Sequence, residues 1–248
     1  MSSSASSRIR PTVWPGHPEI AAHAPSHGFA RGEPPLDEYF NSLFTAFGPQ
    51  HWWPGRTPFE VVVGAILTQN TAWTNVETAI TNLRRERLLT PRALEAVPPR
   101  KLERLVRPSG YFRQKRRKLK AFCAFLRKQY RGSLAKMFAQ PTIVLREQLL
   151  GVWGIGPETA DSILLYAGGH PVFVVDAYTK RVLSRHGWVG EQARYEDVRW
   201  MLERQFPGDR ARFNEFHALI VQAGKNFCLK QDPKCGACPL GRYLEEGR

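Results

Sequence analysis

The chain is short of cysteine, of acid and of long apolar runs, and each shortage narrows its chemistry. Cysteine occurs 4 times in 248 residues, and without an export signal in view that is too few for a disulfide framework. The longest apolar run, residues 61–67, is far below the ~20 residues that carry a helix across a bilayer. Residues 1–10 are mostly Ser and Ala with two Arg, which is not a leader pattern. The expectation is therefore no membrane contact and a cytoplasmic location, at the nucleoid in a bacterium. Acid is the third shortage: 22 Asp and Glu face 36 Lys and Arg, a net charge of +14. The resulting pI near 10.1 points to a polyanionic partner, nucleic acid first, with colloidal solubility as the plainer reading.

Apolar material as such is not scarce. Hydrophobic residues make up 42%, with 14 Phe, 7 Tyr and 7 Trp, enough for a sizeable core and against wholesale disorder. Residues 1–34 are rich in Ser, Pro, Gly and His and show no apolar periodicity, so they read as a flexible tail. Beyond them nearly everything reads as helix. Thr57-Pro58-Phe59-Glu60 is a capping box with proline at the first helical position, opening a buried helix through Leu67. Trp73, Val76, Ile80 and Leu83 mark one face of a second helix, Thr90-Pro91 caps a third and Pro98-Pro99 precedes a fourth. Helical patterns follow over 113–130, 143–150, 158–168, 177–186, 195–205 and 211–226. Val172–Val175 is the one segment that reads as a strand, without an obvious partner. The class is all-α, with no repeat at solenoid period.

Five features carry chemistry. In Gly154-Ile155-Gly156-Pro157-Glu158-Thr159 a helix ends, two glycines two apart turn the chain, and a new helix starts with its amides outward. Such a turn lets backbone approach phosphate, and by itself is also an ordinary helix corner. Asp176 follows an apolar stretch in Val174-Val175-Asp176; aspartate there is first of all a good N-cap. Cys228, Cys235 and Cys238 are spaced x6 and x2, a thiolate ladder that admits zinc or an iron–sulfur centre, while Cys123 lies in an apolar helix and reads as core. His51-Trp52-Trp53-Pro54 precedes the first of these helices, and Thr68-Gln69-Asn70-Thr71-Ala72-Trp73 ends it. Residues 113–120 hold six cations, Arg113, Lys115, Arg116 and Arg117 among them, either a solvated helix face or a phosphate-neutralising one.

Taken together, roughly residues 50–243 resemble the helix–hairpin–helix DNA glycosylase superfamily, in its endonuclease III branch. Gly154-x-Gly156 with Asp176 eighteen residues after Glu158 matches the family's hairpin, its catalytic aspartate and its lysine position. The resemblance implies two helical domains flanking a DNA-binding cleft. One is a six-helix barrel with the helix–hairpin–helix, over 55–170; the other is made of 35–54 and 171–248. It implies a monomer acting on double-stranded DNA that contains damaged bases. It gives Asp176 the catalytic role and makes Cys228, Cys235 and Cys238 ligands of a [4Fe–4S] cluster whose fourth cysteine position is here Leu244. Gln69, Asn70, Gly154, Gly156, Glu158, Thr159, Arg113, Lys115, Arg116 and Arg117 become DNA contacts, with Asn70 entering the gap left by a flipped base.

The Trp-Trp-Pro pattern with the later aromatic resembles bacterial 3-methyladenine glycosylases of the endonuclease III type, which implies a base pocket of Trp52, Trp53, Pro54 and Trp73. Three indoles suit a cationic alkylated purine, since cation–π attraction is worth ~1–2 kcal/mol in a desolvated site. Bifunctional relatives carry a lysine nucleophile at residue 158; glutamate cannot form an imine, so the expectation is hydrolysis without strand cleavage. Lys225, near the end of the last long helix, is counted with the pocket as the lysine that could substitute. The alternatives are a glycosylase for uracil, mismatched thymine or oxidised pyrimidine, and a catalytically idle DNA-binding protein.

Overall fold

The computed structural model describes residues 33–53, 55–206 and 208–244; nearly all of the expected tail, and Pro54, lie outside the described residues. Among the described residues there are twelve α-helices and no strand. The chain opens with α1 (Leu36–Phe47), α2 (Pro58–Leu67), α3 (Trp73–Arg85), α4 (Pro91–Ala96), α5 (Pro99–Val106) and α6 (Phe112–Tyr130). It continues with α7 (Leu134–Phe138), α8 (Thr142–Leu150), α9 (Pro157–Ser162), α10 (Ala177–Arg185), α11 (Tyr195–Gln205) and α12 (Arg210–Asn226). Two helices were not expected individually: α1, whose Leu36, Tyr39 and Leu43 recur at helical spacing behind Asp37 and Glu38, and α7, capped by Ser133 accepting from Lys136 N.

The starts follow local chemistry. Thr57 and Thr90 accept from the amides of Glu60 and Ala93 ahead of Pro58 and Pro91, and Asp176 and Asp209 cap α10 and α12. These contacts satisfy amides that a helix N-terminus otherwise leaves without partners. In the Thr57 capping box the glutamate does something further: its buried carboxylate pairs with Arg84 of α3 at 2.6 Å.

Every residue of α2 from Phe59 to Leu67 is buried, which is how a helix apolar all round must sit. It packs against α3, α6 and α9. A second group forms where α12 packs on α1 and α10. The two groups share one continuous apolar core, and they meet at a π-helical turn, Ile163–Gly168, that touches both α2 and α12. The helix expected over 158–168 is thus α9 followed by this wider turn, closed by Gly169 in the left-handed region at φ 71°.

The strand expected at Val172–Val175 is absent. The segment is extended and at most 1% exposed, but no ladder partner runs beside it. Val172 N donates locally to His170 O at 3.0 Å, and side chains take two further amides: Phe173 N donates to Glu203 Oε1 at 2.9 Å and Val175 N to the Tyr195 hydroxyl at 3.3 Å. β-branched residues here serve burial on all sides, not pairing. The same hydroxyl donates to Asp161 Oδ2 at 2.9 Å, and Arg146 grips Asp161 through two contacts at 2.7 and 3.1 Å and Glu196 at 2.7 Å. This buried network ties α8, α9 and α11 to the segment that ends at Asp176.

Candidate active site

Asp176 stands at the junction of the extended segment and α10. One carboxylate oxygen accepts from Thr179 N at 2.8 Å, and the other lies 3.6 Å from His217 Nε2 on α12. Burial alone would raise its pKa; His217 and the Thr179 contacts outweigh it and hold the carboxyl below the usual aspartate range. The capping role anticipated from sequence is therefore real, and it leaves the second oxygen uncommitted to the helix.

Glu158, on the first turn of α9, keeps solvent contact at the rim. The protein packed around it, and next the charge of Asp176, push its pKa up. Two carboxyls thus share this mouth with separated acidities, the lower belonging to Asp176.

Beside them lie the aromatics. The Trp53 and Trp73 rings meet edge to face with centroids 5.0 Å apart, and Trp53 stacks on Tyr166 at 4.8 Å and 28°. Trp52 stands perpendicular to Trp53 at 6.3 Å and meets the His217 ring at 6.5 Å. The loop that carries them is held by α12, through Asn214 donating to Trp52 O at 3.1 Å and Glu215 accepting from Gln50 N at 2.7 Å. Lys225 lies over the Trp52 ring at 5.6 Å. Trp52, Trp53, Trp73 and Lys225 are brought together; the fourth expected wall residue, Pro54, lies outside the described residues. Tyr166 and His217 join them without having been expected, since no short-range spacing links either to Asp176.

The residues expected to face DNA divide. Asn70 is exposed at the end of the α2 turn, with φ 55°, a left-handed position that asparagine tolerates better than most. Gln69 turns the other way: its amide donates to Gly154 O at 3.1 Å and Thr159 Oγ1 at 2.8 Å, and its carbonyl accepts from Lys118. Gln69 and the buried Thr159 are therefore a joint between the α2 turn and the hairpin, not exposed contacts. Gly154 has φ +82°, and a Cβ there would lie 2.5 Å from Lys118 Cγ; only glycine fits. Gly156 is exposed beside it.

The cation run wraps around α6 instead of lying on one face. Arg113 and Arg117 are exposed, and Arg117 lies 4.3 Å over the exposed Trp153 ring of the hairpin. Arg116 pairs with Glu103 at 3.0 Å. Lys115 corrects the expectation outright: it is 2% exposed and donates to the Ser109 carbonyl. Its helical phase places it under Leu119, and burial lowers its pKa to about 8.

Cys228, Cys235 and Cys238 line one cavity together with Arg185, His186 and Leu244. Burial, and then the neighbouring cysteines, raise the Cys238 thiol. Arg185 Nη1 lies 3.3 Å from Cys228 Sγ, where it can offset thiolate charge. Gly241 closes the turn with no room for a side chain, since a Cβ would sit 2.2 Å from Cys235 O. Among the described residues no three such side chains converge as tightly as one metal ion requires. Three thiols lining one cavity are a donor set that both an iron–sulfur cluster and zinc accept.

A family model for HhH-GPD superfamily base excision DNA repair proteins matches residues 63–207. A Methanocaldococcus jannaschii chain named as a candidate DNA repair glycosylase is 45% identical over 206 residues, covering 82% of this chain and 93% of that one. Endonuclease III of Thermotoga maritima is 29% identical over 188 residues, 76% of this chain and 83% of its own. Among solved structures, endonuclease III in a non-covalent DNA complex superposes with TM-score 0.72 at 26% identity, covering 86% and 94% of the two chains. The 3-methyladenine DNA glycosylase of H. pylori bound to 1,N6-ethenoadenine gives 0.67 at 27%, covering 77% and 97%.

Proposed function

The chain belongs to the HhH-GPD superfamily of base excision DNA repair proteins, and from that membership we propose a monofunctional DNA glycosylase that releases alkylated purines of the 3-methyladenine class. The observation that carries this reading is the set of indoles, Trp52, Trp53 and Trp73, gathered through Tyr166 and His217 next to Asp176, with Glu158 in place of a lysine nucleophile.

The cleft is taken to run between residues 55–170 and the part made of 35–54 with 171–248. Arg113 and Arg117 would neutralise phosphates on one side of it. A flipped base costs a few kcal/mol in lost stacking, which Asn70 offsets by entering the gap. An N-alkylated purine carries positive charge, so the indole faces attract it and its glycosidic bond is already weak. As that bond breaks, the sugar becomes an oxocarbenium-like cation. The Asp176 carboxylate, ionised at neutral pH, stabilises it and orients the attacking water. Glu158 lacks the amine needed for an imine at the sugar carbon, so the reaction stops at an abasic site. Cys228, Cys235 and Cys238 would hold a [4Fe–4S] cluster, with apolar Leu244 covering the position of the fourth ligand. When bound, such a cluster staples the C-terminal turns to α10 and α12 and can carry an electron.

The test is base release from methylated duplex DNA, run beside duplexes holding uracil or mismatched thymine. Asp176→Asn should cut release by orders of magnitude while leaving DNA affinity in place. Near-normal turnover by a folded Asp176→Asn protein would overturn the mechanism. Release from the uracil duplex alone would overturn the lesion class.

A further inference from the structure

We propose that Tyr166 and His217 form a positioning relay that aims the catalytic carboxylate of Asp176 and links it to the wall of the base pocket. The proposal rests on the reading of Asp176 given above and adds two residues to it.

His217 is 4% exposed, so both ring nitrogens need partners or cost stability. Its Nδ1 lies 2.6 Å from the Tyr166 hydroxyl. Its Nε2 has no hydrogen-bond partner within normal range and faces Asp176 Oδ2 at 3.6 Å. A phenol donates readily to an imidazole nitrogen. With Tyr166 donating to Nδ1, the proton of the neutral ring must sit on Nε2, the nitrogen that faces the carboxylate. The tautomer is thereby assigned by Tyr166, in the way a base is oriented by a third group.

The relay reaches the pocket at its other end. Tyr166 belongs to the π-helical turn Ile163–Gly168, a distortion often found at functional sites, and its ring stacks on Trp53. Displacement of Trp53 by an entering base would be felt by the Tyr166 ring, and through its hydroxyl by His217. The groups around His217 are few. Asp176 faces it from the head of α10, and Glu158 on α9 is the second carboxyl in its surroundings. Tyr166 meets it from the π turn, and Trp52 and Phe173 cover it with neutral rings. Lys180 acts on Glu158 from α10, and Lys225 lies beyond Trp52.

The experiment is a pH titration of the Asp176 carboxyl carbon by NMR in the full chain, paired with the pH profile of single-turnover base release. His217→Phe should move the Asp176 titration and the acid limb upward by about one pH unit, a tenfold loss of ionised carboxylate on the acid side. DNA affinity should not change. His217→Gln keeps an N–H near Nε2 and should restore most of the profile. Tyr166→Phe should shift it the same way by less. An unmoved titration and limb in folded His217→Phe would overturn the proposal. Should that variant not fold, an unmoved profile in Tyr166→Phe would do so instead. If Asp176→Asn keeps full turnover, the glycosylase mechanism fails, while the carboxyl titration still decides whether His217 and Tyr166 govern Asp176.

Discussion

Replacing Lys115 by methionine should leave DNA binding intact and change how stability depends on pH. In the fold Lys115 is 2% exposed with its pKa lowered to about 8, against an ordinary value of 10.5. Between those two values the unfolded chain holds a proton that the native chain has released, so stability rises with pH across that window and is flat above it. Two and a half units correspond to roughly 3 kcal/mol as an upper bound. Methionine removes the buried ammonium and leaves the Ser109 carbonyl without its donor, a loss of about 1–2 kcal/mol. Near pH 7 the two effects partly offset, leaving Lys115→Met the more stable by at most about 1–2 kcal/mol. Urea unfolding from pH 7 to 10.5 should therefore show wild type gaining on Lys115→Met by up to roughly 3 kcal/mol. Salt titration of DNA affinity gives the second readout. Arg113→Gln and Arg117→Gln should each reduce the log–log slope by ~0.9, and Lys115→Met should leave it unchanged. A variant whose stability difference stays constant with pH, or whose salt slope falls like that of Arg117→Gln, would refute a buried Lys115.

Arg146→Met should destabilise the chain by about 3–5 kcal/mol, because it leaves the fully buried Asp161 carboxylate without its cation; chemical denaturation measures it. Gly154→Ala should cost on the order of 1–3 kcal/mol, since φ is +82° and the new methyl meets Lys118. It should also weaken DNA binding by loosening the Gln69 joint. Purified protein should be brown with the visible absorption of an iron–sulfur centre, and Cys238→Ser should lose that colour. With methylated DNA the strand should stay whole until alkali is added, and borohydride should trap no complex. Efficient trapping abolished by Lys225→Met would restore the lyase route.

Much of the frame is legible in the sequence because caps and periodicity are local. Thr57-Pro58 and Thr90-Pro91 begin their helices where the chemistry demands, and the α2 run is buried as its composition requires. The departures share a cause: residue type alone carries neither helical phase nor partner. Lys115 stands four residues before Leu119 and seven before Phe122, on the stripe that continues to Leu126; that spacing marks it as buried, while Arg113 and Arg117 fall off the stripe. Val172–Val175 has strand composition, yet its donors find Glu203 and Tyr195, which lie 30 and 20 residues on. Gln69 and Thr159 look like surface polar residues until the fold sets them 2.8 Å apart across a separation of 90. Tyr166 and His217 were invisible for the same reason, being 51 residues apart and set in apolar helix. Asp176 keeps a fixed spacing to Gly156, so a motif can point to it. A residue that acts by orienting another need satisfy only packing, and His217 meets Asp176 across 41 residues of chain at a distance only the fold supplies.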